Sequence, residues 1–78
     1  MYYVYILQLK DKTFYHGFSS NLKERIKAHS QGFVSATKNL RPFTLVFYAA
    51  FESEETAVKF EDYLKTTSGF AFRNKRLV

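Results

Sequence analysis

The tightest constraint on this chain is that its 78 residues include no cysteine. A domain of this size buries only about 60–65% of the surface that its unfolded chain exposes, so its hydrophobic core is small. Disulfides and cysteine-bound zinc cannot supplement that core, and the two histidines are too few for a histidine-rich metal site. The sequence therefore predicts one domain over residues 1–78 that is stabilised by side-chain packing.

The apolar segments form neither a membrane span nor a secretory signal. The longest apolar run covers residues 45–51, far below the roughly 18 residues that a membrane helix needs. The sequence also lacks a basic segment followed by an apolar stretch and a small-residue cleavage site. We therefore expect a cytoplasmic protein without a membrane partner, and no obligate protein partner is evident.

Charge and aromatic content bear on the kind of partner. The formal net charge is +5, the isoelectric point is about 9.6, and nine Phe and six Tyr are present. A small, basic, aromatic-rich domain favours nucleic acid as a partner. The same rings can also simply fill a small core, and composition alone favours that role for most of them.

The first part of the chain is predicted to form a β-hairpin. Residues 2–7 are apolar, aromatic or β-branched on both alternating faces, which is typical of a strand covered on both sides. Residues 10–13 form a polar break of hairpin length, and residues 14–18 resume the strand pattern. We therefore expect the first two strands to pair antiparallel.

Capping residues mark a helix after the hairpin. Asn21 followed by Glu24 resembles a capping box, and Gly32 lies where that helix would end. Residues 33–43 carry Ser, Thr, Lys, Asn and Arg and the only proline, so they are predicted to form a loop. Residues 44–51 are predicted to form a third strand.

The remaining residues are predicted to be helical. Ser53 is the expected cap of a second helix, which Gly69 is expected to end, and the basic segment 70–78 is expected to form a short third helix. The predicted order is β-β-α-β-α-α, which is an α+β fold.

Basic residues concentrate in two segments of the chain. Residues 65–78 contain four basic residues and no acidic residue, and the loop adds two more. Such runs are most often solvated surface, but two of them on a small domain favour contact with a polyanion. The candidate nucleic-acid-binding residues are Lys38, Arg41, Lys65, Arg73, Lys75 and Arg76.

Three ionisable residues lie on helix faces that the apolar pattern predicts to be buried. Arg25 and His29 share one face with Leu22 and Ile26, at the spacing of successive helical turns. Glu61 lies beside the apolar stripe of the second helix. Because an unpaired buried charge is costly, these side chains need partners.

Two explanations are open for these charges. An Arg25–Glu61 ion pair, with His29 merely hydrogen-bonded, would be structural. Alternatively, the three residues belong to a site for phosphodiester hydrolysis. Arginine can bind a phosphate oxygen and glutamate a divalent metal, while histidine, or a tyrosine beside a cation, can take a proton from water.

The sequence resembles the GIY-YIG nuclease superfamily, in particular its small single-domain, UPF0213-like members. The resemblance begins with Tyr3-Val4-Tyr5 and with Tyr15-His16-Gly17, followed by the segment 20–29. The segments 37–42, 45–48 and 57–65 extend it over nearly the whole chain.

The resemblance implies a three-stranded antiparallel sheet flanked by helices, in agreement with the predicted order. It also implies a set of site residues: Tyr5 and Tyr15 on the first two strands, Arg25 and His29 on the first helix, and Glu61 as a metal ligand. In this family a single divalent metal, commonly Mg²⁺, with Mn²⁺ also possible, assists the attack of water on a DNA phosphodiester. The five side chains are therefore expected to surround one open cleft.

The implied function is that of a metal-dependent DNA endonuclease. Without a separate targeting module, such a domain would bind through its own charge, with little sequence specificity. Phe18 stands where some relatives have a polar or basic residue, which keeps open the alternative of a non-catalytic nucleic-acid-binding module. A third alternative is an interaction domain in which Arg25 and Glu61 form a structural pair. Which tyrosine acts as the general base is also open.

Overall fold

The structure is a computed structural model that describes residues 1–76, except for the side chains of Thr67 and Phe70. The predicted helix over 70–78 therefore falls partly outside the described residues. Three strands and three helices are present, with one 3₁₀ turn in the loop, and this confirms the predicted α+β order. The elements are β1 (Tyr2–Gln8), β2 (Phe14–Ser19), α1 (Leu22–Ser30), the 3₁₀ turn (Lys38–Leu40), β3 (Thr44–Phe51), α2 (Glu54–Leu64) and α3 (Thr67–Arg76).

The sheet has β1 at its centre, in the order β2-β1-β3, and both pairings are antiparallel. The predicted hairpin between β1 and β2 is confirmed. Its turn includes Lys12 in a left-handed conformation with φ of 72°, and the amide of Leu9 donates to the carbonyl of Thr13 across it.

Both faces of β1 are buried, as its sequence predicts. Val4 and Ile6 point to one face, where they pack with Ala57 and Leu64 of α2. Phenylalanines from β2, β3, α2 and α3 pack around this first core, namely Phe14, Phe18, Phe47, Phe51, Phe60 and Phe72.

The second core lies on the opposite face of the sheet. Tyr5 and Leu7 point to this face, because successive side chains of a strand alternate. They are covered by Leu22 and Ile26 of α1 and by Phe43 from the loop that follows it. The sheet is therefore sandwiched between α1 with its loop on one side and α2 with α3 on the other.

The predicted starts of α1 and α2 are confirmed. The side chain of Asn21 accepts a hydrogen bond from the amide of Glu24, and the side chain of Ser53 accepts one from the amide of Thr56. Gly32 follows the end of α1 with φ of +80°, the left-handed conformation that a glycine adopts without strain.

The prediction that Gly69 ends α2 is wrong. Helix α2 ends at Leu64, and Gly69 is a buried residue inside α3. A Cβ atom at this position would clash with the carbonyl oxygen of Tyr63 and approach the Cα of Leu64 to 2.7 Å. The glycine is therefore needed for the close approach of α3 to the end of α2.

The loop after α1 is anchored to that helix by Arg41. Its Nε donates to the carbonyl of Lys38 at 2.9 Å, and its Nη1 donates to the carbonyl of Ser30 at 3.0 Å. This anchoring helps to hold the loop against the second core, where Thr37 is fully buried. Among the described residues, no helix is both long and apolar enough to cross a membrane.

Candidate active site

Strand pairing brings the two motif tyrosines to the same face of the sheet. Tyr5 lies opposite Gly17, and Tyr15 lies opposite Leu7, so both rings share the face that α1 covers. Their ring centroids are 6.4 Å apart. The tip of the Tyr5 ring lies directly over Gly17, where a Cβ atom would clash with the ring and its hydroxyl. The motif glycine thus makes room for the hydroxyl of Tyr5.

His29 extends from α1 into the core and contacts both tyrosines. Its Nε2 lies 2.7 Å from the hydroxyl of Tyr5, and its ring meets the Tyr15 ring edge-on, with centroids 5.1 Å apart. The side chain is fully buried. Burial, and secondarily the charge of Arg25, lower the pKa of His29 below its usual 6.5, so the imidazole is neutral at pH 7.

The guanidinium of Arg25 lies beside the hydroxyls of both tyrosines, one helical turn before His29. Its contact with Tyr5 is the main reason that the pKa of Arg25 is raised, and Tyr15 adds to the effect. The pKa of Tyr5 is raised by burial. Arg25 opposes this shift, whereas the charges of Tyr15 and Glu61 reinforce it. Tyr5 is therefore protonated at neutral pH.

Glu61, on α2, pairs with Lys65 and not with Arg25, the partner that a structural role for these charges would require. Its carboxylate is 3.5 Å from Nζ of Lys65, and its side chain is only 16% exposed. Within the described part of the chain, Arg25 and Glu61 form no ion pair, so the proposed structural pair is wrong. The carboxylate nevertheless adds to the raised pKa of Tyr5, after burial and the charge of Tyr15.

The structure therefore brings Tyr5, Tyr15, Arg25 and His29 together, but not around a fully open cleft. Tyr15, Arg25 and Glu61 are half-buried, whereas Tyr5 and His29 are fully buried. A groove of about 530 Å³ does open on the same side of the sheet, between α1 and β3. It is lined by residues such as Tyr3, Leu45 and Tyr48, and contains none of the five candidate residues.

Two of the candidate basic residues gather around His16 on the opposite face of the sheet. Nη1 of Arg73 lies 3.2 Å from Nε2 of His16, and its guanidinium lies 4.4 Å from the centre of the Phe14 ring. Burial, followed by the charges of Arg73 and Lys65, lowers the pKa of His16 to about 4. Since Lys65 also pairs with Glu61, this basic cluster adjoins the candidate metal ligand.

The other candidate basic residues are spread over the surface. Lys75 and Arg76 are exposed at the end of α3, and Lys38 is exposed in the 3₁₀ turn. Arg41 is exposed too, but two backbone carbonyls hold its guanidinium. Arg41 therefore has a structural role in addition to the predicted one.

Sequence reasoning assigned no individual role to Thr37. This side chain is fully buried, and its hydroxyl lies 2.8 Å from Nδ1 of His29. The loop has no helical or strand periodicity, so nothing in its sequence indicates that its one threonine is buried. Only the path of the loop, anchored by Arg41, places Thr37 behind the histidine.

Comparison with known proteins gives a consistent match over the whole chain. Residues 1–76 match the model of the GIY-YIG catalytic domain. A UPF0213 protein of Clostridium perfringens is 40% identical over 78 residues, which are 99% of this chain and 80% of the relative. A UPF0213 protein of Staphylococcus haemolyticus is 38% identical over 68 residues, covering 86% of this chain and 83% of the relative.

A solved structure has the same fold. The solution NMR structure of a UPF0213 protein from Bacillus halodurans is similar to this chain with a TM-score of 0.62 and 33% sequence identity. The match covers 99% of this chain and 87% of the other. The UPF0213 names assign no activity to these relatives.

Proposed function

Because the chain belongs to the GIY-YIG catalytic-domain family, we propose that it is a metal-dependent endonuclease that hydrolyses DNA phosphodiester bonds. The family points to the nuclease superfamily and to a nucleic-acid substrate. The observation that carries the proposal is the meeting of Tyr5, Tyr15, Arg25 and His29 at one place, with the charge of Glu61 acting on it. The cytoplasmic location stays a prediction.

Arg25 is the proposed phosphate ligand. It is half-buried, and its position beside two phenols supports an interaction with a non-bridging phosphate oxygen entering at Tyr15. A guanidinium presents paired donors that match two oxygens of a phosphate. In this proposal, the Arg25 guanidinium moves away from the hydroxyl of Tyr5 when it binds the phosphate. Binding of the substrate thereby opens this hydroxyl to the attacking water.

The Tyr5–His29 pair is the proposed proton acceptor. Water gives a proton to the hydroxyl oxygen of Tyr5, while Tyr5 gives its own proton to Nε2 of His29, 2.7 Å away. The water oxygen forms a bond to phosphorus, the bond from phosphorus to the leaving oxygen breaks, and that oxygen keeps the electron pair and takes a proton from solvent. Since His29 is fully buried, its extra proton returns through Tyr5.

Glu61 is the proposed ligand of a divalent metal, with Mg²⁺ the first choice and Mn²⁺ possible. No group of three or more histidine, cysteine or acidic side chains that could hold a metal occurs among the described residues. One carboxylate fits Mg²⁺, because this ion keeps several waters and commonly binds one or two carboxylates together with substrate phosphate. When bound there, the metal would stabilise negative charge on the phosphate oxygens.

DNA binding is assigned to the basic residues near the site and in the loop and tail. Lys65 and Arg73 adjoin Glu61 and His16, and the exposed Lys75 and Arg76 extend this charge along α3. Such contacts are made to the phosphate backbone, so binding is expected to depend strongly on salt and weakly on sequence.

Cleavage assays on the purified protein test the proposal. We expect cutting of supercoiled, linear or branched DNA with Mg²⁺ or Mn²⁺, and at least about a 100-fold loss in Glu61→Gln. Glu55→Gln is the matched control, because Glu55 also pairs with a lysine four residues later on α2 but lies at an exposed position. The proposal is wrong if the wild type leaves every DNA uncut, or if Glu61→Gln cuts as fast as the wild type.

A non-catalytic nucleic-acid-binding module is the second candidate. It is favoured by the ion pair that Glu61 makes with Lys65 and by the burial of Tyr5. It predicts a mobility shift at low salt that is unchanged in Glu61→Gln, with no cleavage under any metal. If the protein fails to bind DNA at low salt, neither candidate holds.

A further inference from the structure

We propose that Thr37 is a positioning residue, which holds the His29 imidazole with its hydrogen on Nδ1 so that Nε2 can accept the hydroxyl hydrogen of Tyr5. The catalytic meaning of this inference rests on the proposed function, but the geometry behind it does not. Three buried side chains from three separate segments form one line. They are Tyr5 from β1, His29 from α1 and Thr37 from the loop.

The direction of the hydrogen bonds follows from what each group can donate. The guanidinium of Arg25 beside Tyr5 can only donate, so it offers no acceptor for the hydroxyl hydrogen of Tyr5. Tyr5 is fully buried, and Nε2 of His29 lies 2.7 Å from its hydroxyl oxygen. The hydroxyl of Tyr5 therefore donates to Nε2. A neutral imidazole that accepts at Nε2 carries its hydrogen on Nδ1.

The other side of the ring agrees with this direction. Nδ1 of His29 lies 2.8 Å from Oγ1 of Thr37, to which its hydrogen can be donated. The hydroxyl hydrogen of Thr37 can in turn be donated to the carbonyl of Val34, 3.4 Å away. All side-chain nitrogen and oxygen atoms in this buried line have partners, and the chain of donors ends on a backbone carbonyl.

This arrangement prepares His29 to receive a proton without moving. When the O–H bond of Tyr5 breaks and an N–H bond forms at Nε2, the Nδ1 hydrogen stays on His29 and keeps its hydrogen bond to Oγ1 of Thr37. In the opposite tautomer, Nε2 would carry a hydrogen already and could not take one from Tyr5. Thr37 therefore selects the tautomer that can act as the acceptor. An acidic partner that often orients a histidine in other sites is replaced here by a neutral hydroxyl.

Long-range ¹H–¹⁵N NMR spectra of the uniformly labelled full chain test this directly, because they report which ring nitrogen carries the hydrogen. His16→Gln identifies the remaining histidine signal as that of His29. We expect a single Nδ1–H tautomer for His29 in the wild type and in Thr37→Ser. In Thr37→Val, which keeps the shape but removes the hydroxyl, we expect a mixture of tautomers.

Cleavage rates give a second readout. At metal sites, mutation of a residue that orients a ligating histidine typically lowers metal affinity or activity about 10–100-fold. By analogy, we expect the cleavage rate to fall about tenfold or more in Thr37→Val. In Thr37→Ser it should stay within about twofold of the wild-type rate. Thr44→Val makes the same change at an exposed position and should alter neither readout. Melting curves verify that each variant is folded.

The outcomes separate this inference from the proposed function. An Nε2–H tautomer in the wild type overturns the role of Thr37, whether or not DNA is cut, and this measurement does not depend on any variant folding. Retention of both the wild-type tautomer and the wild-type rate in a folded Thr37→Val overturns it as well. An Nδ1–H tautomer that depends on the Thr37 hydroxyl, in a protein that cuts no DNA, supports the positioning role and refutes the endonuclease.

Discussion

At the scale of single residues, the site depends on Gly17 having no side chain. The ring of Tyr5 reaches His29 by crossing the backbone of Gly17, which lies directly opposite on β2. Any other residue at position 17 would put its Cβ into the end of that ring. The motif glycine therefore controls the position of the Tyr5 hydroxyl and, through it, the contact with His29.

Gly17→Ala should therefore disturb both stability and activity. The added methyl forces the ring of Tyr5 to move, and we expect a loss of about 1–3 kcal/mol in the free energy of unfolding, as for other overpacked cores. Cleavage should fall in parallel, because the hydroxyl of Tyr5 leaves Nε2 of His29. Urea denaturation and rate measurements on the purified variant give both quantities.

A double-mutant cycle identifies the clash as the cause. In a Tyr5→Leu background the ring tip is absent, so adding Gly17→Ala should cost much less free energy of unfolding than it does in the wild type. An equal cost in the two backgrounds would show that the methyl at position 17 meets something other than Tyr5.

His16 should make the fold sensitive to acid. Its pKa is about 4 in the folded protein, mainly because of burial, against about 6.5 when unfolded. Between these two values the unfolded chain binds more protons than the folded one, so the free energy of unfolding should fall as the pH drops from about 6.5 to about 4. Denaturation curves across this range measure the slope.

The contribution of His16 is isolated by comparison with His16→Gln. The other ionisable groups are the same in both proteins, so their effects cancel in this comparison. We expect the variant to lose less stability than the wild type on acidification to pH 4. Parallel pH dependences for the two proteins would contradict the low pKa of His16.

Sequence reasoning reached the five candidate site residues, yet not their environment. The family resemblance implied that Tyr5 and Tyr15 face one site, and helical spacing indicated that Arg25 and His29 point inward. The strand register puts both tyrosines on one face of the sheet. The burial of Tyr5 and the contact of Thr37 with His29 depend on the path of an irregular loop, which no periodicity encodes.

At the scale of secondary-structure elements, the sequence predicted where helices begin, but it did not predict how the helices pack against each other. The caps at Asn21 and Ser53 were predictable because the capping hydrogen bond joins residues only three apart. Gly69 was misinterpreted because a glycine can either end a helix or let another segment approach closely. The choice between them depends on where the end of α2 lies, and that is a tertiary contact.

Gly69→Ala should accordingly separate α3 from α2. Its methyl would clash with the carbonyl oxygen of Tyr63, although alanine favours helix more than glycine does. We expect a net loss of about 1–3 kcal/mol in the free energy of unfolding, since the backbone cannot yield as a flexible side chain would. Ser68→Ala, at an exposed position next to Gly69 in α3, is the control and should be nearly neutral. A Gly69→Ala variant as stable as wild type would mean that α3 does not pack this closely.

At the scale of the whole molecule, the charge distribution determines how DNA would be held. The net charge is +5, and residues 65–78 contribute four basic residues without an acidic one. Two of them, Lys65 and Arg73, lie around His16, and the exposed Lys75 and Arg76 follow at the end of α3. This distribution favours contacts of α3 with the phosphate backbone of DNA, close to Glu61, which pairs with Lys65.

Removal of charge from α3 tests this path. For duplex DNA, the logarithm of the binding constant falls with the logarithm of salt concentration by about 0.9 per phosphate contact. Lys75→Gln with Arg76→Gln should therefore weaken binding and reduce the slope by about 1–2. The control is Lys10→Gln with Lys12→Gln at the exposed β1–β2 turn, which lowers the net charge by the same two units. If the two double variants lose affinity and slope equally, total charge rather than the position of α3 governs binding. A loss confined to the α3 variant would establish that the C-terminal helix holds the strand.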